Sequence, residues 1–311
     1  MQLKKYIDNG YLISDKIMQE NEVTSLRDSL DREFTNHNDV QKLLHFFKDE
    51  KLIKKILNLY SHDILKNIKK ELSKFSETQV SILPHFLVQK NYHVNLSKVH
   101  GWHRDCGGEL QYDYCNKILG GQKYLFSKVA FYLQENNEYG GSVDIIKNSH
   151  KNFSKLRIFF RKIKSLPFKV ITLFHKYFRK IYNFLPENMF MFILGAKRLY
   201  PQIGTAVLFD SRIIHRGSPI SKKKLKEIKY IEGAYQADTP KHVTKYTIYC
   251  HIGTTNALDS YFYDRLKRKN SGEELKTWLE QVDFISKFDS ELSSEMTKVL
   301  EPIKKKYSTF V

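Results

Sequence analysis

Trp102-His103-Arg104-Asp105 is the stretch on which the reading of this chain turns. An extended backbone sends alternate side chains to opposite faces, so His103 and Asp105 share one face and Arg104 points away from it. With backbones roughly 6 to 7 Å apart, an imidazole and a carboxylate can grip one cation. An H-x-D triplet is weak by itself, and the chain carries a second copy, His37-Asn38-Asp39, in a polar stretch without apolar alternation. That copy reads as a loop and helix N-cap. Around His103 the context differs: the strand-like run Pro84 to Lys90 precedes it, and Val99-His100-Gly101 leads into it.

Far downstream, Gly204-Thr205-Ala206-Val207-Leu208-Phe209-Asp210-Ser211-Arg212-Ile213-Ile214-His215-Arg216 reads as one buried strand closed by Gly217-Ser218-Pro219. Strand parity then places Phe209, Ser211, Ile213 and His215 on one face, with Arg212 and Arg216 on the other. A lone histidine at a strand end is an ordinary backbone-bonded side chain. Combined with His103 and Asp105, His215 completes a two-His, one-carboxylate set that leaves metal positions open, the arrangement of non-heme Fe(II) oxygenases.

Four stretches resemble the phytanoyl-CoA dioxygenase family of Fe(II)- and 2-oxoglutarate-dependent oxygenases. They are Tyr6 to Ile13, the Trp-His-x-Asp segment, Asn137 to Lys151, and the strand ending in His215. The third keeps the family's spacing and its Ser149-His150-Lys151 ending, with Lys147-Asn148 in place of Pro-Gly. The resemblance implies an α+β protein: a double-stranded β-helix, a cupin-like jelly roll, with N-terminal helices packed outside. It implies iron held by His103, Asp105 and His215, with 2-oxoglutarate and O2 as cosubstrates. The family holds the remote carboxylate of 2-oxoglutarate with an arginine on the strand after the second histidine. Here Lys245 falls at that place, and a point charge there needs help from a hydroxyl such as Thr247 or Tyr249. Arg216 competes for that role, although its parity turns it off the metal face. Retention of Asp105 favours hydroxylation of an unactivated C–H, with release of succinate and CO2, over halogenation, in which relatives replace the carboxylate.

The 311 residues hold no Gly/Ser linker, repeat or low-complexity block, which favours one elaborated domain. We expect a mainly helical part over 1–78, with helices over Asp15 to Leu30 and Asp39 to Phe75. A jelly-roll core over 79–150 and 197–255, a basic insertion over 152–196 and a helical tail over 256–311 follow. Leu52, Ile56, Leu59, Ile64 and Ile68 recur at helical spacing, and Lys123 to Leu133 is the clearest strand. Cys106, Cys115 and Cys250 make no C-x-x-C pair and read as reduced thiols in a cytoplasmic protein, and the N-terminus has no signal-peptide pattern.

The chain has 52 Lys and Arg against 34 Asp and Glu, a formal net charge of +18. No acid occurs between Asp144 and Glu187, and Val170, Phe174, Phe178, Ile181 and Leu185 line one face of a basic amphipathic helix there. Such a helix packs its apolar face on the barrel, lies over the site as a lid, or rests on a membrane surface, where each basic residue contributes about 1 kcal/mol, and a lid that takes an amphiphilic substrate would touch the membrane too. The expected partners are therefore a small-molecule substrate, anionic or lipid-linked, and a peripheral membrane contact through 152–185 at the inner face. Nucleic acid ranks lower, for want of any motif. Two rival readings stand beside the oxygenase: a non-catalytic jelly roll that binds a membrane or anionic partner through the insertion, and a cupin-like enzyme that needs no oxoacid.

Overall fold

The computed structural model describes residues 2–35, 41–91, 102–105, 125–135, 142–150, 191–192, 195–218, 244–259 and 271–307. The second H-x-D copy at 37–39, the amphipathic stretch 170–185, Cys106, Cys115 and Pro219 lie outside them.

Among the described residues, nine strands form two antiparallel sheets. In chain order they are β1 (Tyr11–Ile13), β2 (Gln41–Leu43), β3 (Ser81–Asn91), β4 (Phe126–Tyr132), β5 (Val143–Ile146), β6 (Ala196–Leu199), β7 (Ala206–Asp210), β8 (His215–Gly217) and β9 (Lys245–Gly253). The large sheet runs β1-β7-β4-β9-β3-β2 and the small one β6-β5-β8, with His103 bridged antiparallel to His215 beyond β8. From β3 onward the chain passes to the bridge at 103, back to β4, across to β5 and β6, back to β7, across to β8 and back to β9. This winding between two facing sheets is the double-stranded β-helix of a jelly roll.

Strand alternation divides the core. Leu12, Val88, Val129, Phe131, Leu208, Ile248 and Cys250 face outward from the large sheet and join the cluster formed with the helices. Ala130, Tyr132, Val207 and Phe209 face inward and meet Val143, Ile145 and Leu199 of the small sheet. The helices are α1 (Gln2–Asn9), α2 (Glu20–Glu33), α3 (Glu50–Tyr60), α4 (Asp63–Ser76), α5 (Ser271–Ser286) and α6 (Ser290–Lys306). Asp49 caps α3 by accepting from the amides of Lys51 and Leu52, and Asp289 caps α6 by accepting from Leu292. Leu52, Ile56 and Leu59 are buried, and Ile64 and Ile68 pack partly buried against the same core.

Three expectations from sequence are corrected. The helix expected from Asp15 begins only at Glu20, as α2, and follows α1; before it Ile17 and Met18 donate their amides to the Gly204 carbonyl at 2.8 and 3.1 Å and not to a helical turn. The stretch after residue 40 opens with β2, a strand at the edge of the large sheet, so the region before residue 78 contributes both edge strands as well as helices. The run from 204 to 217 is two strands in different sheets. Asp210 makes the corner by accepting from the Arg212 amide at 2.8 Å and from its guanidinium at 2.9 and 2.7 Å.

Strand β3 contains Pro84, which has no amide to give to a ladder, and its register with β9 slips between Leu83 and Leu87. Gln281, fully buried on α5, accepts from Phe86 N at 3.1 Å and donates to Pro84 O at 3.2 Å, replacing the missing ladder bonds. Gln281→Leu strands both groups, and we expect a loss of about 2–4 kcal/mol, read as a lowered urea midpoint with unchanged slope.

Candidate metal centre

His103 and His215 face each other as a hydrogen-bonded antiparallel pair, each amide donating to the other's carbonyl at 2.9 Å. Two residues on, Asp105 returns to the same face, and its carboxylate lies 3.7 Å from Nε2 of both histidines. Ligand atoms of the three residues all lie within 4.8 Å of one another. Arg104 points away, as strand parity predicts, and its Nε donates to the Arg212 carbonyl at 2.7 Å. That bond ties the segment bearing two donors to the corner that leads to the third.

The neighbouring motif residues support this corner rather than lining the site. Ser149 Oγ accepts from the Ile214 amide at 2.7 Å, one residue before His215. Asn148, standing where the resembled pattern has glycine, adopts φ 58°, a left-handed conformation that asparagine tolerates better than most residues. The His150 ring reaches the Ile7 carbonyl at 3.0 Å and lies against Gly10, whose φ of 80° and lack of a side chain make the contact possible. The Tyr6-to-Ile13 and Ser149-His150 stretches are thus one packing unit behind the site.

The electrostatics favour a cation. Burial, outweighing the pull of Asp105, brings the His215 imidazole down to about 4, so it is neutral at pH 7. Its Nδ1 sits 3.1 Å from the Ile213 carbonyl, which selects the tautomer with a proton there and leaves the Nε2 lone pair directed at Asp105. Burial raises the Asp105 carboxyl, but Lys128, His215, His103 and His251 together hold it well below the usual carboxylate range. Asp105 Oδ2 is buried and has no hydrogen-bond partner of good geometry. An ionised, buried carboxylate oxygen aimed at a neutral imidazole suits a divalent metal ion. His103 is the open side of the cluster, its side chain 54% exposed against 6% for His215.

Beneath the cluster, sheet register brings Lys128, Ala130 and Tyr132 of β4 opposite His251, Tyr249 and Thr247 of β9. Lys128 Nζ lies 3.4 Å from Asp105 Oδ2 and 4.6 Å from the centre of the Tyr249 ring. Lys128 was not singled out from sequence, although a lysine inside the apolar run Phe126 to Leu133 is itself a signal, since such a charge must find a partner in the core.

The other cations noted from sequence lie elsewhere. Arg216 is fully buried, pairs with Asp144 at 3.0 Å and covers the Trp102 ring at 4.7 Å. Lys245 shares the inward face with Thr247 and Tyr249 but is six residues, roughly 20 Å of strand, from His251, the partner of Lys128. Its ammonium donates to the Glu135 carbonyl at 2.9 Å. Burial, then Arg27, pulls that ammonium down to about 8. A lysine held this way is a cost to folding. We expect Lys245→Met to stabilise the protein by about 2 kcal/mol at pH 7, measured by urea unfolding, with the gain shrinking as pH rises through 8.

No family model matches the chain, and no curated protein matches it. Among solved structures it is similar to HygX from Streptomyces hygroscopicus with nickel and 2-oxoglutarate bound, at 14% identity and a TM-score of 0.45 over 81% of this chain and 85% of that one. It is similar to AviO1 from Streptomyces viridochromogenes Tue57, at 11% identity and a TM-score of 0.44 over 81% and 93%. EctD from S. alaskensis, solved with 2-oxoglutarate and 5-hydroxyectoine, gives 11% and 0.46 over 82% and 76%. Likeness at this level does not decide chemistry, and the donor geometry stands on its own.

Proposed function

We propose that the chain is a non-heme Fe(II)- and 2-oxoglutarate-dependent dioxygenase of the phytanoyl-CoA dioxygenase type. It hydroxylates an unactivated C–H of a small anionic or lipid-linked molecule and releases succinate and CO2. The observation that carries this reading is the convergence of His103, Asp105 and His215 on one point, their ligand atoms all within 4.8 Å of one another. Two imidazoles and one carboxylate are the donor set of the facial triad, and three positions on the ion stay open. Iron held there supplies the activation of O2.

The chain's own residues prepare that chemistry. His215 offers a neutral nitrogen whose orientation is fixed from behind by Ile213. Asp105 supplies the negative charge, and Arg104 fixes its loop. The inward faces of the two sheets, closed by Tyr132, Phe209 and Ile213, keep water from the buried side.

Anaerobic addition of Fe(II) and then 2-oxoglutarate tests the reading. Chelation of the oxoacid should give a weak visible charge-transfer band. Failure to bind iron sinks the proposal in favour of a binding protein; iron without the band points to a metalloenzyme that uses no oxoacid.

A further inference from the structure

We infer that Lys128 is the residue that holds the remote carboxylate of the oxoacid, in place of the arginine that the motif resemblance leads one to seek after His215. The inference rests on the oxygenase reading and concerns which end of the sheet the cosubstrate occupies.

The first ground is charge. Lys128 has Asp105 as its carboxylate partner, with Nζ 3.4 Å from Oδ2. A divalent ion bound to Asp105 takes over that carboxylate and repels the ammonium. A buried cation then faces a site with two further positive charges from the metal and one negative charge from Asp105. A dicarboxylate brings this set to zero, whereas a monocarboxylate leaves one positive charge buried.

The second ground is the surroundings. The Tyr249 phenol is buried beside Lys128, and burial pushes it up, so it remains a hydrogen-bond donor. Next along the same face, Thr247 is fully buried, with its hydroxyl beside the Tyr249 phenol. One ammonium and two hydroxyls within a buried face match the four lone-pair sites of a carboxylate. Among the described residues, the other cations near the cluster are committed: Arg104 to backbone carbonyls, Arg212 to Asp210 and Arg216 to Asp144. Lys245 stands at the other end of the strand, on the Glu135 carbonyl.

The test is anaerobic titration of the Fe(II)-loaded protein with 2-oxoglutarate and, separately, pyruvate, which carries the same metal-chelating end without the remote carboxylate. In Lys128→Ala, iron binding should persist and 2-oxoglutarate affinity should fall roughly 10- to 150-fold, the span of a hydrogen bond to a charged group. Pyruvate affinity should change little, so the preference between the two acids collapses. Lys128→Arg should restore part of that preference. Tyr249→Phe, which keeps the packing, should weaken 2-oxoglutarate alone by a smaller factor and serves if the alanine variant does not fold. An unchanged preference in Lys128→Ala and Tyr249→Phe, or its loss in Lys245→Ala instead, overturns the inference while leaving the oxygenase reading intact. Absence of any chelation band in the unaltered protein overturns both.

Discussion

Asp105→Ala should lose iron and turnover together. The carboxylate is the one anionic donor of the cluster, and without it two imidazoles remain on a cross-strand pair. Loss of outer-shell partners alone weakens metal sites about 10- to 100-fold, so removal of a direct donor should exceed the upper end of that range. Folding should survive better than binding, because the Asp105 side chain sits at the margin of the core, 15% exposed. Metal stoichiometry after dialysis checks the prediction directly. A variant that keeps iron at the original affinity would remove Asp105 from the donor set and the facial triad with it.

A second large effect is expected at a distance from the donors. Asp144 is fully buried and accepts from Arg198 at 2.7 and 3.1 Å, from Arg216 at 3.0 Å and from Ser218 at 2.8 Å. In Asp144→Ala the buried Arg216 guanidinium loses the carboxylate it faces, a change that typically costs about 3–5 kcal/mol. The cost falls on β5 and β8, where Asp144 and Arg216 are register partners one step from Ile145 and His215. Stability and iron affinity should therefore drop together, and thermal unfolding with and without Fe(II) will show it. Asp144→Asn keeps acceptor and shape and should recover part of both. If the alanine variant unfolds as the parent does, the ion cluster is not what holds β8 in place.

The parts legible in sequence were those governed by short-range rules. Alternation put His103 and Asp105 on one face and Arg104 behind them, because parity needs only an extended backbone. The outward parity of Arg216 was legible for the same reason, and helical spacing around Leu52 and Ile56 reported the face that covers the sheet. The rest needed long-range knowledge. The stretch from 204 to 217 looks like one strand, since Asp210-Ser211 alone does not announce a corner; besides the local bonds of Asp210 to Arg212, the corner is held by Ser149, which accepts the Ile214 amide from a segment 65 residues away. Lys128 was passed over because a lysine in a strand acquires meaning only when Asp105 arrives from another sheet. The expectation for Lys245 came from resemblance, and strand register, which no local pattern encodes, sets it at the far end of β9.

The reciprocal pairing of His103 with His215 joins positions 112 apart in the chain by two backbone bonds. An ion gripped by both side chains would add a third link at the same crossing and close a loop of more than a hundred residues, including the segments 106–124 and 151–190. In the chain-entropy description, a permanent link closing a loop of about 100 residues removes enough freedom from the unfolded ensemble to be worth about 4.7 kcal/mol. The ion would act as a detachable version of such a link, tightening the topology when present and relaxing it when withdrawn. Iron scarcity would then shorten the lifetime of the protein as well as silence it.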